Sequence, residues 1–204
     1  MILVESGEIG IFANAGEAVL RPSLYAMSKI GTPSQIVERY VFVMADFEQP
    51  QIRARQRAAA RDVVFCCGRD EDMGLLFDLF GCLDETGKPV DGIADPDHVI
   101  ALARCLLKHG VTGALPPEKV NSEGGGYAKT FEAREYVSLA IAHLGVSERE
   151  AWDMTMTTLV GALRAKFPPM KEGSTGANAP AKEEMEATLA WHDRVLELRK
   201  KKLH

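Results

Sequence analysis

With 204 residues, 46% of them hydrophobic, the chain can bury one core of ordinary size. A formal net charge of −5 at pH 7 argues against a dedicated nucleic-acid binder, which carries a basic surplus to displace counterions from phosphates. No run of about 18 apolar residues occurs to span a bilayer, and Glu5 and Glu8 interrupt the N-terminus where a signal peptide needs an apolar block.

These features predict a cytosolic protein without membrane or nucleic-acid partners. The four cysteines agree. Cys66 and Cys67 are adjacent, and no regular disulfide spacing links them to Cys82 and Cys105, so reduced, buried thiols are expected.

Residues 2–20 hold short apolar runs, ILV, IGIF and AVL, separated by Gly7, Gly10 and Gly16, which reads as a small hairpin-like β segment. Two helices are predicted next. The first runs from Pro22 to Gly31. Thr32 caps the second, with Pro33 at its first position and Gln35 completing a capping box. Ile36, Val37, Tyr40, Val41 and Met44 recur at helical spacing and are its expected buried face.

Residues 50–67 predict a further helix on which Arg53, Arg57 and Arg61 fall at i, i+4 and i+8. A solvated face explains this basic stripe, and an acidic protein partner would also fit it. After Gly68, the acidic run RDED leads into the short apolar helix MGLLFDLFGCL. Residues 84–97, dense in Gly, Pro and Asp, read as loop. Asp95 is the expected cap of a helix with Pro96 at its first position, ended by Gly110.

A polar connection spans residues 112–130. Helix resumes over 131–145, where Tyr136, Leu139, Ala140, His143 and Leu144 share a face. Ser147 and Glu150 form a second capping box, and Thr155 or Thr157 is expected to cap one more helix. Trp152 should pack across that break, with Met156, Leu159, Val160, Leu163 and Phe167 continuing the apolar face.

The fold predicted for residues 1–170 is a mainly α-helical globular domain with an N-terminal β segment. Residues 171–181, small and polar, read as a flexible linker. Residues 182–204 read as an amphipathic helix with acids leading and lysines closing, which complements the helix dipole. Leu189, Trp191, Val195 and Leu196 are its candidate docking face, set either against the chain's own domain or against another subunit or partner.

Chemistry is not evident. The stretch GGGYAKT has Ala128 where a phosphate-binding loop needs glycine before lysine, and Lys88 is followed by Pro89. No C-x-x-C or H-E-x-x-H spacing organises the cysteines and histidines into a metal site. The residues therefore point to a non-enzymatic protein with no cofactor and no metal. Its candidate sites are surfaces, the terminal-helix face above and, more weakly, Arg53, Arg57 and Arg61.

Two segments resemble a known family. LRPSLYAMSKIGTPSQIVERY at residues 20–40 and GVSEREAWDMTMTTLVGALRAKFP at residues 145–168 are similar to the tail assembly chaperones and related tail-region proteins of long-tailed bacteriophages. The likeness covers about 45 of the 204 residues. It implies a protein of the host cytoplasm that binds the phage tape measure protein, keeps its apolar helices soluble and recruits tail tube subunits, with self-association possible. A structural tail, head–tail connector or terminator protein is the alternative that the same resemblance leaves open.

Overall fold

The computed structural model describes residues 2–83, 85–115 and 128–168. The linker 171–181 and the terminal helix 182–204, with Leu189, Trp191, Val195 and Leu196, lie outside the described residues.

The chain is mainly α-helical behind a small N-terminal hairpin. Strand β1 (Ile9–Ala13) pairs antiparallel with β2 (Gly16–Leu20), Ile9 opposite Leu20 and Ala13 opposite Gly16. Residues 14 and 15 make the tight connection, and Gly16 takes a positive φ of 152° that a side chain rarely adopts. The leading apolar run is not strand. Val4–Ser6 form one 3₁₀ turn, stopped by Gly7 at φ 90°, and Glu8 folds back to accept the Leu3 N–H at 2.7 Å.

Helices α1 (Leu24–Ser28) and α2 (Pro33–Met44) come next. The first is shorter than expected, because Ser23 takes the cap and accepts from the Ala26 N–H at 3.1 Å. The second begins as predicted, with Gln35 Oε1 accepting the Thr32 N–H at 2.9 Å. Its buried face is rotated from the expected one: Ile36 and Val43 are buried, Met44 is only partly so, and Val41 is 61% exposed. At about 100° per residue, Val43 falls back in line with Ile36 and Tyr40 while Val41 falls well outside the stripe.

The centre of the molecule is α3 (Pro50–Cys67) packed along α5 (His98–Leu107). Gln56, Ala59, Ala60, Val63, Val64 and Cys67 recur at three- and four-residue spacing and face Val99, Ile100, Ala103, Leu106 and Leu107. Ala60 and Ala103 are fully buried, and small side chains at such positions let two helices approach closely. In the chain between α3 and α5 come α4 (Met73–Phe80) and a second hairpin, in which β3 (Cys82–Leu83), at the end of the stretch read as helix, pairs with β4 (Pro89–Val90), inside the stretch read as loop.

Two helix boundaries differ from expectation. Asp95 does not cap α5. Its carboxylate accepts from the Asp97 N–H at 2.8 Å, making a turn before the helix, and Asp97 is the cap residue. Gly110 does not end it either. The chain passes into a π-helical turn over Lys108–Thr112 and stops at Gly113, whose φ is 75°. Gly110 is bare for another reason: a Cβ there would sit 2.6 Å from Met27 Sδ of α1.

Helices α6 (Ala133–Leu144), α7 (Glu148–Asp153) and α8 (Met156–Lys166) complete the described fold. On α6 the buried line is Ala133, Val137 and Ala140, flanked by the partly buried Tyr136, His143 and Leu144, while Leu139 points to solvent. The Ser147–Glu150 capping box is present, with Glu150 Oε2 accepting the Ser147 N–H at 2.9 Å. Thr155 caps α8 through the Thr158 N–H at 3.2 Å. Met156 and Leu159 are buried, and Phe167 ends outside the core at 53% exposed. All four cysteines are free, but only Cys67 is buried and Cys105 is exposed. Burial pushes the Cys67 thiol far above its ordinary value.

Candidate functional site

The segments at residues 20–40 and 145–168 meet in space. Ser23 and Thr155, each the cap of its helix and each buried, face one another in an antiparallel bridge. Beside it the Leu24 N–H donates to the Met154 carbonyl at 2.8 Å. The bridge carries Tyr25 and Trp152 to the same surface, where their rings lie edge to face at 6.4 Å. Lys29 Nζ stands 5.3 Å from the centre of the Tyr25 ring. Together with Ser28, Glu148, Arg149 and Asp153 these aromatics line an open groove of about 780 Å³. Tyr25 is 55% exposed, so it offers a wide apolar face with a polar tip.

The local sequence explains the placement. Ser23 and Thr155 can pair as extended residues because each is the N-cap of its helix, and both take the extended backbone typical of that position. Trp152 sits in the last turn of α7 and meets Tyr25 of α1, the partner that the sequence did not reveal.

The arginine stripe divides. Arg53 and Arg57 remain partly solvated but are not free charges. They converge on Asp97, Arg53 Nη2 at 2.8 Å and Arg57 Nε at 3.0 Å. The hydrogen bonds from Arg53 and then Arg57 hold the Asp97 carboxyl below its ordinary range. This clamp ties α3 to the first turn of α5 and leaves those two side chains little freedom for a partner. Arg61 is one turn further along α3 and makes no ion pair among the described residues.

Next to the clamp, α3 and the stretch Asp91–Pro96 enclose a cleft of about 520 Å³. Arg55, Arg57 and Arg61 stand on the α3 side, Asp91 and Asp95 opposite, over a floor of Ala54, Ala58, Phe80 and Val99. Sequence reading named Arg57 and Arg61 of this cleft as part of a candidate partner surface, but not Arg55, Asp91 or Asp95, because the far wall comes from a loop whose path depends on α4.

Among the described residues no three His, Cys, Asp or Glu side chains are grouped to hold a metal ion. The partly buried His109 is held by the fold, its Nδ1 3.0 Å from Thr157 Oγ1, and burial, with a smaller contribution from the Lys108 charge, lowers its pKa. No helix among the described residues is long and apolar enough to cross a membrane.

A protein-family model described as "Family of unknown function (DUF6246)" matches residues 42–187. No curated protein and no solved structure matches the chain.

Proposed function

Because this chain belongs to DUF6246, a family of unknown function, we propose its role from its own residues: a non-enzymatic tail assembly chaperone of a long-tailed bacteriophage. It works in the host cytoplasm, binding the tape measure protein and helping to recruit tail tube subunits. One observation supports this above the rest. The segments at 20–40 and 145–168, far apart in the chain and alike in carrying no catalytic motif, are joined by the Ser23–Thr155 bridge into one exposed aromatic groove.

A chaperone of long apolar helices needs such a place, where a rigid aromatic pair covers apolar side chains at low entropic cost while the rim stays wet. The groove has that composition, with Tyr25 and Trp152 ringed by Glu148, Arg149 and Asp153. Two aromatics in an open groove suit a transient client better than a permanent one.

The test is co-expression with a phage tape measure protein. The soluble fraction of that protein should rise several-fold with the wild-type chain and much less with Tyr25→Ala, a change at a half-exposed residue that leaves the core alone. Unchanged solubility of the tape measure protein would sink the proposal. Stable rings of the chain alone, seen as a discrete high mass in solution, would favour a connector or terminator role instead.

A further inference from the structure

The cleft between α3 and Asp91–Pro96 lies apart from both segments that form the aromatic groove. Its walls are fixed before anything binds. The Ile93 N–H donates to the Asp78 carbonyl at 3.0 Å and the Ala94 N–H to the Leu79 carbonyl at 2.9 Å. Gly81 and Gly92 lie so close that a Cβ on Gly92 would fall 2.2 Å from the Leu79 oxygen, and one on Gly81 2.2 Å from the Val90 oxygen. The loop is therefore pinned to the end of α4, and a ligand would not have to order it.

Charge is arranged across this cleft in opposed pairs. Arg57 shares the single Asp97 carboxylate with Arg53 and is only partly neutralised by it, while Arg55 and Arg61 make no ion pair among the described residues, and neither do Asp91 and Asp95 on the opposite side. A simple anion would meet the two carboxylates as well as the two guanidinium groups. A purely apolar ligand would strip water from four charges and return nothing. The floor nevertheless is apolar, with small Ala54 and Ala58 leaving room above Phe80 and Val99. The apolar character continues onto the second hairpin, where Leu83 is 66% exposed, and past it to Ile93 at 83%.

An occupant that satisfies all of this carries apolar side chains with carboxylates along one flank and ammonium groups along the other. That is the surface of an amphipathic helix with mixed-charge flanks. We propose that the cleft docks such a helical segment of a partner protein. Its apolar stripe enters over Ala54, Ala58 and Phe80, its glutamates meet Arg55 and Arg61, and its lysines meet Asp91 and Asp95. The inference goes beyond the tail-assembly role and stands whether or not that role holds, since the groove at Tyr25 and Trp152 takes no part in it.

The experiment uses the full chain and three fluorescein-labelled peptides of about 18 residues, five helical turns. Each carries the same leucine stripe, flanked by glutamate and lysine on opposite sides, by glutamate alone, or by lysine alone. Fluorescence anisotropy should show the mixed peptide binding about 10-fold more tightly than either single-sign peptide, the size expected from one or two mismatched charge contacts. Arg61→Glu should weaken the mixed peptide and strengthen the all-lysine one, a gain that an unfolded variant cannot produce. Equal binding of the three peptides, best binding by the all-glutamate peptide, no binding of the mixed one, or an Arg61→Glu variant with unchanged preference would each overturn the proposal.

Discussion

Thr157 joins three parts of the chain through one hydroxyl. Its Oγ1 accepts the Ala114 N–H at 3.0 Å, lies 3.0 Å from His109 Nδ1 and 3.4 Å from the His109 carbonyl it donates to. The residue is buried, so Thr157→Val keeps the shape and leaves three polar groups without this partner. The expected loss is about 1–2 kcal/mol, read as a fall of roughly 2–8 °C in melting temperature; Thr157→Ser should recover most of it. The pH behaviour comes from His109, whose folded pKa lies below its ordinary 6.5 because burial disfavours the charged ring. Above that pH the ring is neutral in both folded and unfolded chains and exacts nothing. Below it the unfolded chain takes up the proton first, so stability declines until the folded pKa is passed. Melting temperature should therefore slip as the pH falls through 6.5, and His109→Asn should flatten the profile there. Asp97 and Glu150, whose pKa values are lowered from 3.8 and 4.5 by hydrogen bonds, act in a separate window, below those values. A slope unchanged by His109→Asn would assign the pH effect elsewhere.

At the scale of elements, the C-terminal end of α2 shows how one helix is closed by two others. Its last carbonyls have no partners within α2, as at any helix end. Gln56 Nε2 of α3 reaches the carbonyls of Phe42, Val43 and Ala45, at 3.2, 3.1 and 2.7 Å. Arg104 of α5 donates to Val43 and Ala45 from the other side, at 2.9 and 2.7 Å. Gln56 is fully buried, so Gln56→Leu removes donors that water cannot replace and should cost about 2 kcal/mol, measurable by urea unfolding as a lower midpoint with an unchanged slope. An unshifted midpoint would mean that Arg104 alone closes the helix. This arrangement also marks where sequence reading stops. The capping boxes at Thr32–Gln35 and Ser147–Glu150 were legible because cap and partner are three residues apart and the geometry is local. The hairpin was legible from glycine between apolar runs. Gln56 carries no such local signal, since its carbonyls lie 11 to 14 positions away. Arg53 and Arg57 read as a solvent stripe because Asp97 is 44 and 40 positions distant. Gly110 read as a helix stop because a glycine forced by Met27 looks the same in sequence as one forced by φ. The aromatic groove was half legible: Trp152 stood out, and Tyr25 did not until the Ser23–Thr155 bridge brought it there.

For the whole molecule, the decisive fact is that the matched family region and the folding unit do not share a boundary. The family model begins at residue 42, yet Leu20, Leu24, Met27 and Ile36 are all fully buried in the same core as α3, α5 and α8. The N-terminal segment is also stitched to the later elements by backbone bonds: Arg21 N–H to the Cys67 carbonyl at 2.8 Å, Leu24 N–H to Met154, and the Phe131 N–H back to the Pro33 carbonyl at 3.0 Å. Met27 fills the space that Gly110 leaves open in the π-turn, so removing α1 would leave a hole beside the matched region. Four large side chains at about 1.5–3 kcal/mol each amount to about 6–12 kcal/mol, comparable with the total stability of an ordinary domain, about 5–15 kcal/mol. A fragment of residues 42–204 should therefore keep helical far-ultraviolet circular dichroism but lose its near-ultraviolet signal and its cooperative melt, and bind a hydrophobic dye. Adding residues 1–41 as a separate peptide should restore part of the near-ultraviolet signal, because the missing piece brings its own caps at Ser23 and Thr32. If the fragment instead melts cooperatively within a few degrees of the full chain, the hairpin, α1 and the start of α2 are an appendage to the core rather than part of it.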